Sequence, residues 1–120
     1  MKTISILIPC YNEEQSLPLM YNSLNEVSTS VSNYQFEFLF INDGSKDHTI
    51  NILRNLRQKD TRVNYVDFSR NFGKENAMLA GFDYAVGDAM IIMDADLQHP
   101  PTLIPDMIKI WNEGEIQDVY

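Results

Sequence analysis

Two carboxylates one residue apart close an apolar run: Met90-Ile91-Ile92-Met93-Asp94-Ala95-Asp96-Leu97-Gln98-His99-Pro100-Pro101. A short run of this kind, bounded by polar residues and prolines, reads as a buried strand with Asp94 and Asp96 at its carboxyl end. Residues i and i+2 of an extended stretch point to the same side. At roughly 4–6 Å two such charges repel by about 1 kcal/mol in water and by several times that in a drier site. A divalent cation reverses the sign of that interaction. Mg²⁺ and Mn²⁺ favour carboxylate oxygens, and Mg²⁺ commonly binds through one or two of them together with substrate phosphates. The chemistry on offer is a metal–diphosphate site. A plainer reading competes: Asp96 caps the helix after Pro100, and Asp94 is a solvated strand end. The pair alone does not choose between them.

Three other polar stretches follow apolar runs: Pro9-Cys10-Tyr11-Asn12-Glu13, Asn42-Asp43-Gly44-Ser45 and Ser69-Arg70-Asn71-Phe72-Gly73-Lys74. Each has a structural reading beside a functional one. Tyr11 can be plain packing, and Glu13 a helix-start carboxylate favoured by the macrodipole. Asp43-Gly44 can be only a turn, and Arg70 and Lys74 solvated charges. His48 and His99 read as surface or capping residues. Cys10 needs no reactive role. Glycine-rich phosphate loops of the G-x-x-x-x-G-K-[ST] and G-x-G-x-x-G kinds are missing, so phosphate has to be held by something other than a nest of N–H groups, which favours a metal.

The elements that position these loops alternate. Thr3–Ile8 reads as strand one, ended by Pro9. Ser16 is a candidate N-cap with Pro18 in the first turn, and Leu17, Met20, Tyr21, Leu24, Val27 and Val31 recur at helical spacing. Gln35–Ile41 is strand two; Asp47 or Ser45 caps a helix striped by Ile50, Leu53 and Leu56. Strand three is Arg62–Phe68, with Val63, Tyr65 and Asp67 on one side. Helix three runs from Lys74 to Val86, stops at Gly87 as a C′ residue, and presents Ala77, Ala80, Gly81, Tyr84 and Ala85 for close packing. Ala89–Met93 is strand four. Helix four opens at Pro101, turns Leu103, Ile104, Met107, Ile108 and Trp111 inward, and ends at Gly114. Asp118–Tyr120 starts a fifth strand. The alternation predicts an α/β fold: a Rossmann-like parallel sheet of four to five strands, right-handed crossovers and helices on both faces. Ligands of such sheets bind outside the carboxyl ends of the strands, where the chemistry-rich loops fall. The opposite ends carry generic turns: Asn33, Asp60-Thr61 and Gly87-Asp88.

The chain of 120 residues suits one domain. A net charge of −8 argues against nucleic acid, since no basic stripe exists to release counterions. A single cysteine excludes an internal disulfide and a cysteine metal cluster, and fits a reducing, cytoplasmic setting. The longest apolar runs are strand length, so no segment is expected to span a membrane.

In order and at family spacing, the loops resemble the nucleotide-binding half of a family 2 glycosyltransferase of the GT-A fold. The matching pieces are Ile8-Pro9-Cys10-Tyr11-Asn12-Glu13-Glu14, Ile41-Asn42-Asp43-Gly44-Ser45, Asn71-Phe72-Gly73-Lys74, Ala80-Gly81-Phe82, Ala85-Val86-Gly87-Asp88 and Met93-Asp94-Ala95-Asp96-Leu97-Gln98. The runs from Ser69 to Ala77 and from Asp96 to Pro101 look closest to the polyprenyl-phosphate branch, which includes bactoprenol glucosyltransferase-like enzymes. The resemblance implies a nucleotide-sugar donor, UDP favoured over GDP by analogy, and inverting transfer to a polyprenyl phosphate or other glycan acceptor. It implies that Pro9, Tyr11 and Glu13 line the base and ribose pocket, that Ile41 and Asp43 close it, and that Arg70 or Lys74 neutralises diphosphate. Asp94, Asp96 and Gln98 would ligate Mg²⁺ or Mn²⁺, with Ala95 near the ribose and Asp94 and Asp96 central to catalysis. Similar enzymes are longer, so residues 1–120 are expected to be the N-terminal, donor-binding part of a truncated domain. The isolated part should show little turnover, and the whole enzyme is expected at the cytoplasmic face of a membrane. Self-association is left open. Three readings compete: a non-catalytic nucleotide-sugar-binding module, a receiver-like signalling domain, and a nucleotidyltransferase, which wants a Gly- and Arg-rich first loop that Pro9–Glu13 is not. The second is weakened because Glu13 and Glu14 lie several residues past strand one and Asp67 lies inside strand three.

Overall fold

A computed structural model describes residues 1–95 and 101–112. Four parallel strands form one sheet in the order β3-β2-β1-β4: β1 (Thr3–Cys10), β2 (Gln35–Asp43), β3 (Val63–Phe68) and β4 (Ala89–Ile92). The connections carry α1 (Leu17–Ser30), α2 (Thr49–Lys59) and α3 (Lys74–Tyr84); a 3₁₀ turn (Pro101–Leu103) leads into α4 (Ile104–Asn112). β1 and β2 are central and buried nearly throughout. That is why they read as continuous apolar runs rather than alternating ones.

The alternation along β1 sorts the core into two layers. Ile4, Ile6 and Ile8 face α1, α2 and α4, meeting Leu17, Met20, Leu24, Leu53, Ile104 and Ile108. Leu7, with Leu39 and Ile41 of β2, faces α3 through Ala77. Gly81 allows that approach, because a Cβ there would lie 2.9 Å from the Leu7 side chain and 3.0 Å from that of Ile41. The expected small-residue face of α3 is therefore real at Ala77 and Gly81. Tyr84 instead points outward and is 61% exposed.

Several boundaries differ from the sequence reading. Pro9 does not end β1; the strand continues to Cys10, paired with Asn42. The Leu7 carbonyl accepts from Met93 N–H at 3.0 Å. Pro9, two residues on, turns its missing donor the same way, past the end of β4, so no ladder bond is lost. β2 likewise runs on through Asn42 and Asp43, paired with Asp67 and Phe68. β3 starts one residue late because Arg62 is drawn onto Asp60. α3 stops at Tyr84, and Ala85 is already extended. Gly87 is needed for packing rather than as a C′ residue: a Cβ there would lie 2.5 Å from Ser5 Oγ. Leu103 is 39% exposed rather than inward. Asp96, Gln98 and His99, the Trp111 side chain, the helix end at Gly114 and the fifth strand lie outside the described residues.

Candidate functional site

The carboxyl ends of the strands bring three loops together, and each is held by residues distant in sequence. The loop after β1 turns sharply at Asn12, whose φ of 54° lies in the left-handed region that asparagine tolerates better than most residues. The N–H groups of Asn12, Glu13 and Glu14 are captured by side chains from the loop after β2 and from the first residue of α2. Asn12 N–H donates to Ser45 Oγ (2.9 Å), Glu13 N–H to Thr49 Oγ1 (2.9 Å) and Glu14 N–H to Asp47 Oδ2 (3.1 Å). In return Lys46 N–H donates to Asn12 Oδ1 at 2.7 Å. Ser16 is not the expected side-chain cap; its hydroxyl donates to the Glu13 carboxylate at 2.8 Å. Asp47 stands one residue before the cap position of α2, and its Oδ1 accepts from Thr49 N–H (2.9 Å) and Oγ1 (2.5 Å). Burial works to raise the Asp47 pKa, but the hydrogen bonds from Thr49 and Glu14 outweigh it and hold the carboxyl below its usual range.

Asp43 does the same for the loop after β3. Its two oxygens accept from Phe72 N–H (2.8 Å) and Gly73 N–H (3.1 Å). Gly44 has φ +72°, and a Cβ there would lie 2.2 Å from the Arg70 carbonyl carbon, so only glycine lets the two backbones touch. Phe72 packs edge-on against Phe68, with ring centroids 5.3 Å apart. Gly73 precedes α3 with φ +96°, Lys74 opens the helix, and the Lys74 ammonium forms an ion pair with the Asp94 carboxylate.

These contacts enclose a cavity of about 220 Å³. Pro9, Tyr11 and Glu13 line it from the first loop, Asp43 from the second, Lys74 from α3, and Asp94 and Ala95 from the end of β4. Seven residues singled out from sequence thus meet in one place. Tyr11 is 43% exposed, so its ring is no core packing residue. Two singled-out residues are elsewhere. Ile41 is fully buried against Gly81 in the α3 layer. The Arg70 guanidinium lies over the Phe72 ring, 4.8 Å from its centroid. Cys10 also lines the cavity, yet burial, with Glu13 and Asp47 nearby, pushes its thiol well up and keeps it protonated and unreactive. Sequence reasoning missed Asn12, Ser45 and Thr49 as loop-holding residues; the only signal was their short polar side chains beside a strand end.

Among the described residues no three His, Cys, Asp or Glu side chains gather to hold an ion unaided. The donor chemistry nonetheless fits a hard divalent cation. Asp94 already draws a cation, Lys74, inside a cavity shared with two further carboxylates, Glu13 and Asp43, and such ions complete their shells with phosphate oxygens.

The family model for glycosyl transferase family 2 matches residues 5–120. The chain belongs to glycosyl transferase family 2. Within this family, the uncharacterized glycosyltransferase YkcC of Bacillus subtilis (strain 168) is 51% identical over 110 residues, covering 92% of this chain and 34% of the relative. The prophage bactoprenol glucosyl transferase homolog of Escherichia coli (strain K12) is 45% identical over 111 residues, covering 92% and 36%. The chain thus spans about a third of the length of these relatives. Among solved structures, a mannosyltransferase of Pyrobaculum calidifontis in complex with GDP-Man and Mn²⁺ superposes with a TM-score of 0.75 at 20% identity, over 88% of this chain and 31% of that one. S. aureus TarS in complex with UDP-GlcNAc gives 0.70 at 24% identity, over 94% and 32%. These likenesses show the GT-A fold expected from the sequence, and family membership removes the receiver-like alternative.

Proposed function

We propose that this chain is the donor-binding part of an inverting, metal-dependent glycosyltransferase that uses a nucleotide sugar and passes the sugar to a polyprenyl phosphate or related acceptor. The observation that carries the reading is the convergence of Tyr11, Glu13, Asp43, Lys74 and Asp94 on one cavity at the carboxyl rim. Tyr11 offers an exposed ring face for a base. Glu13 offers carboxylate lone pairs to ribose hydroxyls. Asp43 spends one bond per oxygen on the loop after β3, and an ionised carboxylate has roughly four acceptor sites, so it can also take a base N–H. Ile41 would back this pocket from the core, Ala95 would lie near the ribose, and Lys74, rather than Arg70 over the Phe72 ring, would supply positive charge for diphosphate. Asp94, with Asp96 and Gln98, would hold Mg²⁺ or Mn²⁺; the bound ion supplies positive charge beside the departing diphosphate. An acceptor oxygen then forms its bond to the anomeric carbon as the bond to the diphosphate oxygen breaks on the opposite side.

The Mn²⁺ in the mannosyltransferase neighbour supports a metal, and the nucleotide sugars in both structural neighbours support a nucleoside diphosphate donor for this chain. A lipid-linked acceptor is supported by likeness to the bactoprenol glucosyl transferase homolog, and such an acceptor would put the whole enzyme at a membrane surface; UDP is favoured over GDP by analogy with similar enzymes, while the structural neighbours hold GDP-Man in one case and UDP-GlcNAc in the other. No helix among the described residues is long and apolar enough to cross a membrane. The test is calorimetry with UDP- and GDP-sugars, with and without Mn²⁺, on this chain and on Asp94→Ala and Asp96→Ala. Metal-enhanced binding that both substitutions abolish is the expected result. Affinity indifferent to metal and to both substitutions would defeat the reading.

A further inference from the structure

We propose that Lys74 is a built-in stand-in for the divalent ion: it neutralises Asp94 while the site lacks metal, and passes to the phosphate oxygens when metal and diphosphate bind. The inference rests on the nucleotide-binding reading above and concerns how that site is loaded.

Three observations carry it. Lys74 occupies the first position of α3, where the helix macrodipole disfavours a cation. A local preference broken this way points to a compensating partner, and the partner is the Asp94 carboxylate. The pair is also asymmetric: the Lys74 side chain is 57% exposed and that of Asp94 only 19%. The carboxylate is set in the cavity wall while the ammonium ends a flexible four-carbon arm. Finally, the root of that arm is fixed, because Asp43 grips the N–H groups of Phe72 and Gly73 immediately before it. The arm can move without the loop moving.

The consequence is thermodynamic. A bare metal ion must evict Lys74 from Asp94 and leave the ammonium unpaired. A metal arriving with a diphosphate gives the evicted ammonium a new partner. Metal and diphosphate therefore bind with positive coupling, and that coupling is reciprocal.

Lys74→Met separates the two halves of this trade. Mn²⁺ alone, followed by electron paramagnetic resonance of the free ion, should bind the variant about two- to fivefold more tightly, the scale of one partly exposed ion pair. UDP at saturating Mn²⁺, followed by calorimetry, should bind about tenfold more weakly, the scale of a lost charge-assisted hydrogen bond. Lys74→Arg should keep the wild-type order of both affinities. Lys59→Met, an exposed charge change in the last turn of α2 at the opposite rim, should move neither by more than about twofold. A merely structural lysine would not shift the two affinities in opposite directions. Thermal melting of Lys74→Met should stay within a few degrees of wild type, since the lost ion pair is offset by a cation leaving the helix N-terminus. Unchanged or weaker Mn²⁺ binding by Lys74→Met, in a wild-type chain that binds Mn²⁺ and UDP, would overturn the inference and leave the nucleotide reading intact. A wild-type chain that binds neither would remove that reading and this inference with it.

Discussion

Both rims of the sheet hold charged groups, and they treat them in opposite ways. At the amino rim the buried and half-buried charges Glu37, Asp60 and Arg62 are closed by fixed partners. The buried Glu37 carboxylate accepts from Ser5 Oγ (2.7 Å), Asn64 Nδ2 (2.9 Å) and Val86 N–H (3.1 Å). Asp60 accepts from Arg62 and, at 2.7 Å, from the Tyr21 hydroxyl. Arg62 also donates to Ser28 Oγ and Asn25 Oδ1 and lies over the Phe38 ring. A hollow of about 550 Å³ opens there, larger than the cavity of about 220 Å³ that Tyr11, Asp43 and Asp94 line, but its charged groups are already committed. At the carboxyl rim Glu13, Asp43 and Asp94 share one cavity with Lys74 as its lining cation. The difference teaches that neither charge density nor the size of a hollow marks a site. What marks it is carboxylates brought together with acceptor capacity left over.

The largest expected effect tests the carboxyl rim. In the full-length enzyme Asp94→Ala should cost about 3–4 kcal/mol of transition-state stabilisation, roughly a 10²–10³-fold loss of transfer rate, while the melting temperature stays close to wild type. A rate within tenfold of wild type would erase the contrast between the rims. The mirror experiment is Glu37→Ala, which strands Ser5 Oγ, Asn64 Nδ2 and Val86 N–H in the interior. It should cost about 2–3 kcal/mol of stability in urea titration and leave UDP affinity unaltered in the surviving folded chain.

Gly44→Ala joins the two effects. The added Cβ collides with the backbone of Arg70 and Asn71 in a left-handed conformation, so about 2 kcal/mol of stability should be lost. Because the displaced loop carries Lys74, UDP affinity should fall as well, which calorimetry on the folded fraction would show.

The smallest effect is at the amino rim. Hydrogen bonds from the Arg62 side chain, outweighing burial, lower the Asp60 carboxyl from 3.8 to about 2. The folded chain thus holds this proton less tightly than the unfolded one. The stabilisation is complete above about pH 4 and is lost as pH falls toward 2. Since Arg62 is a third exposed, it amounts to about 1–2 kcal/mol. Stability measured between pH 5 and pH 2 should fall less steeply in Asp60→Asn than in wild type.

Sequence alone determined the layer order of this protein. Apolar runs of strand length at β1 and β2, helical stripes such as Leu17-Met20-Leu24, and their strict alternation leave little choice but a parallel sheet wrapped on both faces. The same alternation put the polar loops on one rim, and the resemblance to family 2 glycosyltransferases then singled out Tyr11, Glu13, Asp43, Lys74 and Asp94 within them before their contacts were known. These are local signals, written within ten or fifteen residues of chain. Only the tertiary structure decided which groups meet. Asp43 reaches Phe72 and Gly73, Ser45 and Thr49 reach the loop after β1, and Lys74 rather than Arg70 reaches Asp94. It also sent Ile41 into the α3 layer and made Gly87 a contact for Ser5 instead of a helix terminator. The physical reason is register. Side chains twenty to forty residues apart become neighbours only once parallel strands are aligned across intervening helices, and that alignment is settled by packing between elements rather than within any one run of residues.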